Sequence, residues 1–382
     1  MVSGCGAGPR TQPFGISAGS EAMMMDRRSF LQYAGLVPLI GAMPRLAFGA
    51  DETNGEKADY TLRIGTGLVE LAPDRIVSTT LYNGQFPGPL LRFKEGQQVV
   101  VDVHNDTDTP ELVHWHGQMI PSDVDGAAEE GTPFAAVKEL QRIGKAADEE
   151  AEEKTKGFEV GYELFGINGR MLGHGEPIRV KAGERVLFHV LNASATEIRS
   201  LALPGHLFRI IALDGNPVPM QADVPVLWLG TAERISALVE MKHPGVWVMG
   251  DLADDDRKHG MGIVVEYAGQ KGRPQWIKPK PFHWDYTQFG KANEAPAAPD
   301  ETIEITIVKH NGALNGFNQW TLNGEAFSME TRKPMFTVHE GRRYRLKFRN
   351  ASDDIHPLHL HRHSFELTRI AGKAMAGVIR MS

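Results

Sequence analysis

One segment recurs three times, and its recurrence restricts this 382-residue chain to an array of related units. Gly96 to Asn105, Gly183 to Asn192 and Gly341 to Asn350 each run nine residues from glycine to asparagine. Each follows an Asn-Gly pair: Asn83-Gly84, Asn168-Gly169 and Asn323-Gly324. Asn-Gly is a tight-turn signal, and the short alternating or apolar runs around it have the period of strands. Strands are therefore expected from Tyr60 to Val103, at Arg185–Val190, Phe208–Ala212, Ala237–Met241 and Gly262–Tyr267, and from Glu301, where Ile303, Ile305 and Ile307 alternate. The fold class is all-β, in tandem units.

The repeat also contains its own control for function. Counted from the final asparagine, His114 and His116 stand at +9 and +11 in the first copy, and His359 and His361 at +9 and +11 in the third. The middle copy has Leu201 and Leu203 there. Where the fold needs only a strand it uses leucine, so packing does not explain the four histidines. Two residues one apart on a strand share a face, which would set each pair of imidazoles roughly 6–7 Å apart before one pocket. Neutral imidazole suits copper, iron, nickel or zinc. His104 has Leu191 and Arg349 at its place in the other copies and reads as an ordinary strand residue. His363 opens His-x-Phe as His206 does in the middle copy, which has no His-x-His, and is likewise read as structural. Asp123 and Asp125, shortly after the first pair, read as a polar turn.

A formal net charge of -7 gives no reason to expect nucleic acid as a partner. Arg27-Arg28, an apolar run from Tyr33 to Met43 and the small-residue stretch Ala47 to Ala50 read as a twin-arginine export signal, which places the protein in the periplasm or outside the cell. The apolar run is shorter than the roughly 20 residues of a membrane span. Cys5, upstream of that signal, is the only cysteine, so the mature chain is expected to carry no thiolate.

The expected organisation is an extension and signal over 1–50, a first β domain over 51–133, a helical and acidic linker over 134–164, a second β domain over 165–269, a linker rich in proline over 270–300 and a third β domain over 301–382. In the middle copy Trp247 lies 55 residues after Asn192 and Val265 lies 73 after it. The same points fall at 160 and 178 for the first copy, inside the next segments, and at 405 and 423 for the third, past Ser382. The first and third units are thus expected to lack closing strands.

With His114-Trp115-His116-Gly117 and His356-Pro357-Leu358-His359-Leu360-His361 in view, the chain resembles the three-domain, laccase-like multicopper oxidases. The resemblance covers most of the chain apart from about 134–156. It implies tandem Greek-key, cupredoxin-like barrels, copper as cofactor, and a small-molecule or metal-ion reductant and O2 as partners. It also implies that His114 and His359 hold the type 2 copper, that His116 and His361 serve the type 3 pair and that His356 is a type 1 ligand. The family's second His-x-His, late in domain one, and its His-Cys-His, near the end of domain three, have no counterpart here. Oxidase turnover is therefore expected to be impaired; a non-catalytic exported copper binder or scaffold is the alternative, and zinc stays open on ligand type alone.

Overall fold

The computed structural model describes residues 57–109, 111, 113–120, 125, 162–292, 294–314, 316–326, 328 and 334–381. The export signal, the helical linker of 134–156 and Asp123 lie outside the described residues. Two compact units are present. In the smaller, the Val100 amide donates to Asp59 and the Tyr60 ring meets Phe93 edge-on at 5.5 Å. The larger holds residues 62–92 and those from 103 onward, including all three asparagines that end the repeat.

Each repeated residue has a structural reason. Asn83, Asn168 and Asn323 have φ of 52°, 54° and 51°, and the glycines after them 68°, 77° and 87°. Two successive left-handed residues make the turn whose twist matches a hairpin, which is why Asn-Gly recurs. Asn83 and Asn323 also accept, through Oδ1, from the amides of Arg63 and Thr306, both at 2.7 Å. Asn105, Asn192 and Asn350 end their strands by one device. Each Oδ1 accepts from the amide and hydroxyl of the residue two on, Thr107, Ser194 or Ser352, and each Nδ2 donates to a carbonyl a few residues later. That side-chain turn swings the chain out of the sheet and towards the +9 and +11 positions.

The middle copy holds the core. Arg185–Leu191, Arg234–Glu240, Phe208–Leu213 and Asn216–Val224 form one sheet in that order, and Val246–Gly250, Gly262–Tyr267 and Ile178–Val180 form another. Three of the five neighbouring pairs are non-consecutive in sequence, the crossover pattern of a Greek key. Phe208, Ile210, Leu213, Ala237, Val239 and Val265 are fully buried between them. The proline-rich stretch read as a linker does more than connect. Phe289 is fully buried in the same core, and the indoles of Trp228 and Trp284 donate to the carbonyls of Phe282 and Val226.

The outer copies repeat one half of this plan among the described residues. Tyr60–Ala72 lies between Arg75–Tyr82 and Val101–Asn105. Glu301–Leu314 lies between Phe317–Leu322 and a parallel Tyr344–Asn350, with Glu301 opposite Tyr344 and Ile307 opposite Asn350. Among the described residues Val101–Asn105, Tyr344–Asn350 and their counterpart Arg185–Leu191 each pair with a single neighbour, but the neighbour of Arg185–Leu191, Arg234–Glu240, belongs to the buried middle core. The difference shows in burial: Leu346 is 38% exposed, against 8% for Phe188, which holds the same place in the middle copy.

A last hairpin, Ser364–Ile370 with Lys373–Met381, ties the third copy to the middle one. Met375, Ala376 and Val378 are buried against the middle core, and so is a charge, Arg380. Arg380 Nε donates to Asp214 at 2.6 Å and its Nη2 to Glu233 at 2.5 Å, while the Tyr286 hydroxyl donates to the same Glu233 oxygen. A buried ion group of this kind is costly to break because the survivor stays unpaired. Asp214→Ala is expected to cost roughly 3–5 kcal/mol, measured as a lower thermal midpoint with early proteolysis of 364–381; Asp214→Asn, which keeps an acceptor, should cost less.

Candidate metal centre

Of the five histidines singled out in the sequence, four converge. The His114 ring centre lies 5.4 Å from His116, 5.1 Å from His359 and 4.3 Å from His361. His116 stacks on His359 at 4.6 Å with an interplanar angle of 13°, and His359 meets His361 at 4.4 Å. One nitrogen each from His114, His359 and His361 falls within 4.8 Å of the others. Among the described residues no other set of three histidine, cysteine, aspartate or glutamate side chains is so placed.

The two pairs do not lie in strands, and they are closer than strand geometry requires. Residues 113–115 and 355–360 are irregular, ending at turns where Gly117 has φ 80° and Arg362 φ 61°. The middle copy shows the reason. There Arg199–Leu201 pairs with Leu227–Leu229 and Ala202 bridges Gly250, so the equivalent segment is drawn out as a strand. No described strand plays that part for the outer segments, which bend and bring their imidazoles together.

The residue that sequence reading missed is Asp125. It is 1% exposed, not a surface turn. Its Oδ2 lies 2.9 Å from Nδ1 of His361, and its backbone oxygen 2.9 Å from Nδ1 of His114, with Oδ1 at 3.2 Å from the same atom. Arg362 Nε stands 3.6 Å from Oδ2. Facing only oxygens, each Nδ1 must carry the proton, so each Nε2 presents a lone pair. His114 Nε2 is buried without a hydrogen-bond partner. A buried polar atom rarely goes unpaired, and here it turns towards the other histidines. The count that exposed the histidines also marks this residue: at +20 from the asparagine the other copies have Ala212 and Ile370.

The site keeps the imidazoles of His116 and His359 neutral. Burial, then the Arg234 guanidinium and the rings of His359 and His114, bring His116 down to about 3. Burial, then His361 and His114, bring His359 down to about 4. His359 is exposed at the residue level and Asp125 favours its proton, but the neighbouring imidazoles and Arg234 oppose it. These donors fit copper: neutral nitrogens, an unpaired buried lone pair and a carboxylate orienting two rings from behind.

His356 stands apart. Its Nε2 lies 2.6 Å from the Ser352 hydroxyl and its ring 6.5 Å from Trp320. His104 is exposed on its strand. His206 and His363 each place Nδ1 against the carbonyl two residues back, Pro204 at 2.8 Å and His361 at 2.9 Å, a shared local structure.

Three models, each described as multicopper oxidase, match residues 66–140, 143–265 and 296–377, together more than half of the chain. The chain belongs to the multicopper oxidase family. Copper is the cofactor of that family. Multicopper oxidase MmcO of Mycobacterium tuberculosis is 25% identical over an alignment covering 78% of this chain and 74% of that protein. Copper resistance protein A of Pseudomonas syringae pv. tomato is 38% identical over a shorter stretch, 21% of this chain and 13% of that protein. Among multicopper oxidase structures, Fet3p, which functions in iron import, superposes with a TM-score of 0.64 at 13% identity, covering 84% of this chain and 82% of Fet3p. A metallo-oxidase from Campylobacter jejuni gives 0.59 at 16% identity, covering 86% and 83%. These likenesses establish the all-β, cupredoxin-like fold. Among the described residues no helix is long and apolar enough to cross a membrane.

The depressed histidines set a pH dependence for the metal-free protein. Unfolded, His116 and His359 titrate at about 6.5; folded, they titrate at about 3 and about 4. Below the unfolded value the unfolded chain binds the extra protons, so stability is fully present above pH ~7 and falls as pH drops through about 6.5 towards 4. Urea midpoints across that range should decline steadily in the wild type, and decline less in a His116→Gln/His359→Gln double variant.

Proposed function

We propose that this chain is an exported copper-binding member of the multicopper oxidase family, impaired as an oxidase, with His114, His116, His359 and His361 holding the metal. One observation carries the reading: imidazoles from the first and third copies converge with a buried, unpaired Nε2 among them. Bound copper would supply the one-electron exchange between a small-molecule or metal-ion reductant and O2 that is the chemistry of the family. The chain's own residues do the rest. Asp125 orients His114 and His361 and fixes their proton on the far nitrogen. Burial and Arg234 keep His116 free of a competing proton.

Impairment is inferred from what surrounds His356. A blue copper site needs a thiolate and a second histidine. Cys5 is the chain's only cysteine, and His356 shares no convergent group of ligating side chains among the described residues, facing Ser352 instead. Neither the second His-x-His nor the His-Cys-His of the family pattern occurs in the sequence. The paired arginines Arg27 and Arg28 support a periplasmic or extracellular location. The non-catalytic binder or scaffold shares this centre and differs only in having no turnover at all.

Purified protein loaded with copper should retain about one ion per chain without the intense absorption of a copper–thiolate bond, and should take up no oxygen with a phenolic donor. A strong blue colour or sustained oxygen uptake would refute impairment. Asp125→Asn, which leaves four ligands but loosens two of them, should weaken copper binding about 10–100-fold in competition with a chelator; unchanged affinity would remove the four-histidine centre from consideration.

A further inference from the structure

The middle copy contributes no histidine to the centre, yet one of its side chains reaches it. Arg234, at the start of strand Arg234–Glu240, is half-buried and held at several points. Nη1 donates to the Ala232 carbonyl at 3.1 Å and lies 3.4 Å from Asp214, and Nη2 donates to the Met381 carbonyl at 2.8 Å. Ala232 adopts φ 62° in the turn that supplies this carbonyl. A non-glycine residue gives up about 1–2 kcal/mol there, so the cradle is held by its surroundings. The same Nη2 lies against the turn of the first histidine pair: a Cβ at Gly117 would stand 2.7 Å from it. Only glycine leaves that room, and its φ of 80° is one that glycine adopts without strain.

We propose that Arg234 is a positioning residue of the four-histidine centre, setting one fixed positive charge beside His116 and His359 and so favouring a monovalent, cuprous ion over divalent ones. This rests on the copper reading above. A guanidinium stays charged under any physiological condition, even where burial works against it. The Coulomb penalty on an approaching ion scales with the ion's own charge, so a dication is disfavoured about twice as strongly as a monocation. The nearby charges offset this only in part. Arg362 is balanced by Asp125, and Asp214 and Glu233 are shared with Arg380. At His116 the effect of Arg234 exceeds the opposing one of Asp214. Lying beside Gly117 and bonded to the Met381 carbonyl, the guanidinium stands between the first pair and the end of the last hairpin.

The test compares cuprous and zinc affinities, by chelator competition, in wild type, Arg234→Gln, Arg234→Met and Arg234→Lys. Folding is checked for each by circular dichroism and thermal midpoint. Gln keeps an N–H donor for the Met381 carbonyl, so at least one neutral variant retains the local structure. Both neutral variants should lower the cuprous-to-zinc affinity ratio by about tenfold, and Lys should restore it to within about threefold of wild type. A merely structural role would weaken both metals together and leave the ratio unmoved, and that result, or a Lys variant no better than Gln, overturns the assignment. Wild-type protein that takes up no copper overturns the four-histidine reading and this one with it, whereas normal uptake with an unchanged ratio overturns only the role of Arg234.

Discussion

A buried carboxylate holds the centre together. Asp125 is nearly without solvent contact, and a charge in that position is stable only if cations or strong donors surround it. It finds them in two different copies: His114, eleven residues before it, and His361 and Arg362, more than two hundred residues after it. Of the ring nitrogens, that of His361 satisfies one carboxylate oxygen and that of His114 the backbone oxygen, and the opposite edges of both rings turn towards the other imidazoles. Without Asp125 the imidazoles would be free to turn, and the convergence of two distant segments would have no anchor.

The middle copy provides the frame against which this is built. Its core is a continuous cluster of buried apolar side chains, and the hairpin that follows the second histidine pair is pressed onto it through Met375, Val378 and the Arg380 ion group. Because that hairpin begins only three residues after His361, locking it also limits where His361 can go. Arg234 and Arg380 share Asp214, so the ion group that docks the hairpin is continuous with the one that touches the Gly117 turn. The outer copies contribute ligands, and the inner one contributes rigidity and charge.

Much of this is legible in the residues. The triple spacing of Asn-Gly, glycine and asparagine forecast strands and turns because those residues have backbone roles that tertiary context seldom overrides. The substitution of histidine for Leu201 and Leu203 in the outer copies marked four of the converging residues, since a strand has no packing reason for that exchange. Less legible was anything decided by what lies across a gap. The first pair was expected in a strand or just past one, and it lies past one: a strand needs a neighbour, and among the described residues Leu227–Leu229 and Gly250 pair with the middle segment. The stretch 270–300 looked like a tether from its prolines, yet Phe289 fills the core because the barrel has an opening for it.

The chain by itself determined the local plan: where it turns, which faces are apolar, and which positions carry nitrogen ligands in place of leucine. These depend on backbone preferences and period, properties of a few neighbouring residues. Only the tertiary structure decided that Asp125 is an interior bridge, that His356 stays outside the group, and that an arginine from the copy lacking histidine pairs stands beside the site. Burial and electrostatic contact are relations between segments far apart in the chain, and no local pattern encodes them.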